Sequence, residues 1–107
     1  VEHQMGPVMV TVDYQIDPVR AEEFAAVMRE SRANRLQKGA LSWGLFHDTN
    51  KPGHYIEYFL DDSWADHLRR FDRFTAADAD LRERRYAFHI GEEPPRVSRY
   101  IAEPLGQ

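Results

Sequence analysis

Two side chains in this sequence are candidate catalytic groups, because their types and positions suit proton transfer. His67 lies on the apolar stripe of a predicted short helix, and imidazole groups titrate near neutral pH. Asp13 lies in a predicted strand of alternating apolar residues, where burial would make its carboxylate a stronger base. Each has an ordinary alternative: His67 as a buried histidine bonded to a backbone carbonyl, and Asp13 paired with Arg35 or facing solvent.

Four aromatic side chains could line a pocket beside these groups and stack on a flat substrate. Trp64 and Phe71 share the inner face of the predicted helix with His67, whereas Trp43 and Tyr58 lie on predicted strands. The same side chains also suit an apolar core, so packing alone is the alternative at each position. The predicted site therefore combines two proton-handling groups with four aromatic substrate-binding groups.

Several kinds of site are excluded by composition and spacing. The chain has no cysteine, which excludes disulfides, thiolate metal sites and cysteine nucleophiles. Its histidines show no metal-ligand spacing such as H-E-x-x-H, its glycines are isolated, and its serines lack the setting of a nucleophile elbow. We therefore expect no metal site and no cofactor.

Length and charge limit the number of domains and the kind of partner. The chain has 107 residues, which suits one domain, and a net charge of -4 from 14 basic and 18 acidic residues. Nucleic-acid-binding domains usually carry a basic excess, so we expect no nucleic acid partner. No apolar run approaches the roughly 20 residues that a membrane span needs. We therefore expect a cytoplasmic chain without a membrane span.

The elements that position the candidate residues begin with a strand and a helix. Apolar side chains alternate strictly from Val8 to Ile16, which predicts a strand. Asp17 then suits a helix N-cap, and Pro18 suits the first helical position. We predict that this helix runs to about Lys38, where a glycine follows.

A hairpin and two short helices follow before the last strand. Strands are predicted at 41–47 and 55–60, on either side of a stretch rich in turn formers. Ser63 and Thr75 each open a short helix as N-cap residues. A last strand is predicted at 96–102.

The resulting order is βαββαβ, with the second helical region split in two. This is the plan of a ferredoxin-like α+β sandwich, in which helices cover one face of an antiparallel sheet. We assign residues 1–7 to a linker or tag remnant, 8–103 to the domain and 104–107 to a tail.

Both faces of the predicted sheet carry apolar side chains, although its helices can cover only one. The first strand places Val10 and Val12 on one side and Met9 on the other, and the third separates Tyr58 from Phe59. An uncovered apolar patch of this kind is typical of an interface. We therefore predict a two-fold homodimer through the sheet face, with a monomer bearing scattered surface aromatics as the alternative.

Three segments give the chain a family likeness. Gly6 to Ile16 (GPVMVTVDYQI), Lys38 to Asp48 (KGALSWGLFHD) and His89 to Glu103 (HIGEEPPRVSRYIAE) resemble the soluble C-terminal domain of the transmembrane secretion effectors, a family of major-facilitator exporters. The helix opening at Ser63 (SWADHL), with Trp and His three residues apart, is similar to that of antibiotic biosynthesis monooxygenase-like domains. Both likenesses imply a dimeric α/β-barrel.

The two likenesses imply different roles. The exporter likeness implies an accessory domain without established catalysis, tethered to a membrane transporter at the cytoplasmic face of the membrane. The monooxygenase likeness implies cofactor-independent oxidation of an aromatic or polyketide-like compound by O₂. The haem-degrading branch of that superfamily uses an Asn on the first strand where this sequence has Val12 and Asp13, which argues against haem oxygenation.

We expect the accessory role, with the monooxygenase as the alternative and a module that binds a small aromatic ligand as a third hypothesis. Whether the chain is an enzyme stays open at this point.

Overall fold

The computed structural model describes residues 1–106, so Gln107 of the predicted tail lies outside the described residues. Four strands form one antiparallel sheet in the order β2-β3-β1-β4. The predicted ferredoxin-like α+β fold with a split second helix is confirmed. The elements are β1 (Val8–Gln15), α1 (Ala21–Gln37), β2 (Ser42–His47), β3 (His54–Asp61), α2 (Trp64–Asp72), α3 (Ala76–Tyr86) and β4 (Arg96–Ile101).

The first helix begins and ends at the signals found in the sequence, with one difference. The Asp17 side chain accepts a hydrogen bond from the Val19 amide, and a 3-10 turn over Pro18–Arg20 precedes the α-helical part. The N-cap bond therefore starts a tighter turn before α1. Gly39 follows the helix with φ 105°, a left-handed conformation that side chains disfavour.

The second and third helices are capped by hydroxyl groups. The Ser63 hydroxyl accepts from the amide of Asp66 at 3.1 Å. Thr75 and Asp78 form a full capping box, in which each side chain accepts from the other residue's backbone N–H. These caps fix the positions at which α2 and α3 begin.

The segment before β1 contacts the start of α2. The carbonyl of Met5 accepts from the Trp64 amide at 2.7 Å, and that of His3 accepts from the Ala65 amide at 2.9 Å. Two amides that a helix N-terminus leaves without intrahelical partners are thereby satisfied. Among the described residues, 1–106, none of the helices has the length and apolar character to cross a membrane.

The core lies between the sheet and the helices. The end of the helix-facing row of β1 that runs into α1 packs against Phe24 and Met28 of α1, which are fully buried, and the other end packs with Ala40 and Phe59. The row consists of Val8, Val10, Val12 and Tyr14, all buried, and Ile16 continues it.

The opposite face of the sheet, called the open face here, carries no helix. Phe46 and Tyr100 on this face are 62% and 51% exposed. The residues that share it by strand register are Met9, Thr11 and Asp13 on β1, Phe46 on β2, His54, Ile56, Tyr58 and Leu60 on β3, and Arg96, Ser98 and Tyr100 on β4. The apolar uncovered surface predicted from the sequence is therefore present.

Candidate functional site

A cavity of about 130 Å³ lies between the sheet and the helices α2 and α3, and we call it the helix-side cavity. Aromatic rings of Phe59, Phe71 and Phe74 line it together with strand valines. No carboxylate is among its lining residues within the described chain. Its polar lining consists of His67, Tyr86 and five arginines: Arg35, Arg70, Arg82, Arg85 and Arg99.

His67 lines this cavity with both ring nitrogens engaged. Its Nε2 accepts from Nε of Arg99 at 2.9 Å, and its Nδ1 lies 3.2 Å from a carboxylate oxygen of Asp61. Because a guanidinium only donates, Nε2 must carry the lone pair, and Nδ1 donates its proton to Asp61. The imidazole is almost fully buried. In this arrangement neither nitrogen is free to take a proton from a ligand.

Asp61 holds His67 and an arginine together. Nε and Nη2 of Arg70 approach its carboxylate to 2.7 and 2.6 Å. Burial alone would raise the pKa of Asp61, but hydrogen bonds from His67 and Arg70 outweigh burial and hold that pKa below its usual range. Asp61 is therefore an ionised anchor.

A second buried carboxylate, Glu57, lies at the centre of the helix-facing side of the sheet. It accepts hydrogen bonds from the hydroxyls of Tyr14 and Ser31 at 2.9 and 2.7 Å, and from the indole of Trp43 at 2.8 Å. Nε of Arg35 lies 3.3 Å from the same carboxylate. Four donors from three elements, β1, α1 and β2, thus converge on one fully buried acid.

The charge of Glu57 is compensated by two guanidinium groups. Burial alone would raise the pKa of Glu57, but the positive charges of Arg35 and Arg85, with its hydrogen bonds, hold that pKa below the usual range. Nε of Arg85 donates to the hydroxyl of Tyr14 at 3.1 Å. Burial, and then the nearby carboxylate, raise the pKa of Tyr14 far above its usual value, so it stays a phenol.

The structure brings only some of the predicted site residues together. His67 and Phe71 line the helix-side cavity, with their rings 5.5 Å apart. Trp64 packs against the core cluster around Val8 and does not line this cavity. Trp43 packs in the core, with its indole bound to the buried carboxylate.

Asp13 and Tyr58 lie on the open face, so the sheet separates them from the helix-side cavity. Asp13 pairs with Nε2 of His54 at 2.8 Å, whose Nδ1 lies 2.9 Å from Asp48. The partner of Asp13 is therefore His54 and not the arginine predicted as an alternative. Hydrogen bonds to Asp48 and then Asp13 raise the pKa of His54 above its ordinary value.

A wider groove of about 480 Å³ opens near the same end of the open face. It is more open to solvent than the helix-side cavity, and it mixes acids such as Glu92 and Glu93 with basic groups. Arg96, which also lines it, stands opposite Asp13 in the strand register. Because its charges largely offset one another, the helix-side cavity is the better candidate site.

The sequence did not single out the charged residues that surround the cavity. Glu57 and Asp61 lie on the helix-facing row of β3, and Arg99 stands between Val97 and Ile101 on the same row of β4. The signal available in the sequence was a charged residue on the otherwise apolar, helix-facing side of a strand. A charged residue is buried there only when side chains from other elements pair with it or form hydrogen bonds to it.

Comparisons with known proteins agree on the fold. A protein of Bordetella bronchiseptica, provisionally described as an antibiotic biosynthesis monooxygenase, is 20% identical with a TM-score of 0.72, over 89% of this chain and 95% of that one. A similarly described protein of Caulobacter crescentus CB15 is 18% identical with a TM-score of 0.74, over 94% and 93%. A conserved protein of Methanosarcina mazei Go1 is 11% identical with a TM-score of 0.74, over 91% and 93%.

At these identities the structural likeness shows the fold alone. No curated protein matches the chain. The family model described as transmembrane secretion effector matches residues 1–105, almost the whole chain. Both likenesses expected from the sequence are thereby confirmed. The chain belongs to the transmembrane secretion effector family, and its fold is that of the antibiotic biosynthesis monooxygenase-like proteins.

Proposed function

We propose that the chain is a dimeric accessory domain of a small-molecule exporter and carries no catalysis of its own. The observation that carries this proposal is the family match over residues 1–105. Because the match extends over nearly the whole chain, it does not depend on one short motif. The accessory domain would be tethered to its transporter at the cytoplasmic face of the membrane.

The chemistry of the helix-side cavity supports a role without catalysis. Cofactor-independent oxygenation requires a base that takes a proton from the substrate. Both nitrogens of His67 are engaged, and Glu57 and Asp61 are held as ionised, hydrogen-bonded carboxylates. The remaining polar lining consists of arginines, which do not accept protons, and the phenol of Tyr86; no carboxylate lines the cavity within the described residues.

The open face supports a homodimer. Exposed apolar side chains such as Met9, Phe46 and Tyr100 form a surface that no helix of the described chain covers. One end of this face carries side chains of both charges, the acidic Asp13 and, opposite it, the basic Arg96. A second copy, related by a two-fold axis, would cover both apolar faces at once and can oppose charges of unlike sign.

The dimer is tested by multi-angle light scattering at low micromolar concentration. The expected mass is twice the 12.5 kDa of one chain. Phe46→Glu should give a monomer, because it places a charge on the apolar surface that the partner would bury. Phe71→Glu is the matched control, since Phe71 is similarly exposed (58%) but lies on the helix side, and this variant should remain dimeric. A monomeric wild-type chain would contradict the dimer.

The link to an exporter is tested with an antibody raised against this chain. Immunoblots of fractionated native cells should show a membrane-bound product much larger than 12.5 kDa. A product close to that mass in the supernatant would contradict the tether.

The monooxygenase is the second candidate function, favoured by the fold likeness and by an aromatic-lined cavity that contains His67. The test is O₂ uptake with dihydroxybenzene-type and dihydroxynaphthalene-type substrates, one and two rings in size, by the wild type and by His67→Ala. Uptake by the wild type that the variant loses would favour this function. Equally negligible uptake by both would favour the accessory domain.

A further inference from the structure

We infer that the helix-side cavity binds a small organic anion, a single aromatic ring that carries a carboxylate. This goes beyond the proposed function, because the inference holds whether or not the chain dimerises or is attached to a transporter. Three observations carry it: an unbalanced charge, a buried guanidinium with vacant donors, and the size and lining of the cavity.

The cavity carries a positive charge that the protein does not balance. Of the five arginines lining it, Arg35 is paired with Glu57 at 3.3 Å and Arg70 with Asp61 at 2.6 Å. Five guanidinium groups and two carboxylates leave a net charge of +3. Of the five lining arginines, Arg82, Arg85 and Arg99 have no ion pair with the described residues, 1–106.

Arg85 lines this cavity and carries Nη donors that no described residue fills. Its side chain is 5% exposed, and its one hydrogen bond to the described residues runs from Nε to the Tyr14 hydroxyl. In residues 1–106 the only fully buried side-chain polar atom without a partner is Oε1 of Gln15, so the Nη atoms of Arg85 still reach open space. A guanidinium whose Nη donors have no acceptor in the protein can donate two parallel hydrogen bonds to one carboxylate.

The rest of the cavity suits a ring. A volume of about 130 Å³ is close to that of the roughly 150 Å³ apolar cavity known to hold benzene, and it is small for a fused ring system. The Phe59 ring forms one wall, with the guanidinium carbons of Arg35 and Arg70 4.4 and 4.6 Å from its centroid. Phe71 and Phe74, both exposed on their outer sides, mark a mouth open to solvent. An inorganic anion would leave these apolar walls unused.

The test is calorimetric titration of the whole chain with three probes: benzoate, the neutral benzamide of the same shape, and inorganic phosphate. Benzoate should saturate one site per chain with a dissociation constant of about 1 mM or tighter. Benzamide and phosphate should each bind at least about tenfold more weakly, because one lacks the charge and the other the ring. Equal binding of benzoate and benzamide, tighter binding of phosphate, or no saturation by benzoate would overturn the inference.

Variants on one helix locate the site. Arg85→Met should abolish benzoate binding, and circular dichroism shows whether this buried change still folds. Arg82→Gln alters an exposed residue that lines the cavity, and it should weaken binding about fivefold without affecting the fold. Arg84→Gln is the matched control, because Arg84 pairs with Glu30 and Asp80 on the outer side of α3 and should leave affinity unchanged.

Equal losses of benzoate affinity in Arg82→Gln and Arg84→Gln would show that only the overall charge of the chain matters. That result would contradict a binding site in the helix-side cavity. A wild-type chain that binds benzoate as a monomer would refute the proposed dimer and leave this inference standing.

Discussion

Glu57 is the residue on which the polar interior depends. The acid is fully buried, and its oxygens accept from Tyr14, Ser31 and Trp43 while Arg35 supplies the compensating charge. Removing one partner of a buried ion pair leaves the other charge unpaired, which costs more than the pair contributed. The stability of the fold and the position of the cavity arginines are therefore linked through one side chain.

Glu57→Gln should lower the free energy of unfolding by about 3 kcal/mol or more. The substitution keeps the size of the side chain but leaves Arg35 without its carboxylate and removes the negative charge that lies near Arg85, and its amide group places N–H donors against the donors that surround it. Urea denaturation at neutral pH measures the change. The control is Glu30→Gln, which removes an exposed acid paired with Arg84 and should leave the midpoint almost unchanged. Equal midpoints for the two variants would contradict the role of Glu57.

His54 should make stability depend on pH. Hydrogen bonds to Asp48 and then Asp13 raise its pKa in the folded state above the unfolded value of about 6.5. The folded state therefore binds this proton more tightly, so the contribution to stability is complete below that value and is lost as pH rises through the folded pKa. Arg96 lies opposite Asp13 in the strand register.

Thermal melts of the wild type and His54→Gln between about pH 5.5 and pH 8.5 check this prediction, since that range spans the unfolded pKa of histidine and values above it. The advantage of the wild type should be largest at the acidic end and should shrink as pH rises. An advantage that stays constant or grows with pH would be inconsistent with a raised pKa at His54.

At the scale of elements, local signals predicted the order of strands and helices, and distant pairings determined the site. Apolar alternation and N-caps act within a few residues, so β1 and the starts of α2 and α3 could be found from the sequence. The bond from Arg99 to His67 spans 32 positions, and that from Arg85 to Tyr14 spans 71. Such contacts depend on strand register and helix packing, which no local pattern contains.

Removing the Thr75 N-cap tests whether one of these local signals also helps to hold the cavity arginines of α3 in place. Thr75→Ala should destabilise the chain by about 1 kcal/mol, because the amide of Asp78 loses its acceptor at the start of α3. Since α3 carries Arg82 and Arg85, benzoate affinity should fall modestly as well. Urea denaturation and calorimetry measure the two effects. Thr49→Ala, an exposed change in the turn after β2, serves as the control and should alter neither.

At the scale of the whole molecule, the sheet divides the chain into two surfaces with separate roles. The helix side contains the arginine-lined cavity, and the open face presents apolar side chains together with the Asp48–His54–Asp13 cluster. If a second copy covers the open face, folding and association are coupled, and the melting temperature must rise with protein concentration.

Between about 2 and 200 µM, the wild-type melting temperature should rise by several degrees, because association with the folded state adds to stability by mass action. Phe46→Glu should abolish this concentration dependence, whereas Phe71→Glu on the helix side should retain it. Differential scanning calorimetry measures both. A wild-type melting temperature independent of concentration would mean that the folded chain does not associate, and the apolar side chains of the open face would then have to be explained as surface residues of a monomer.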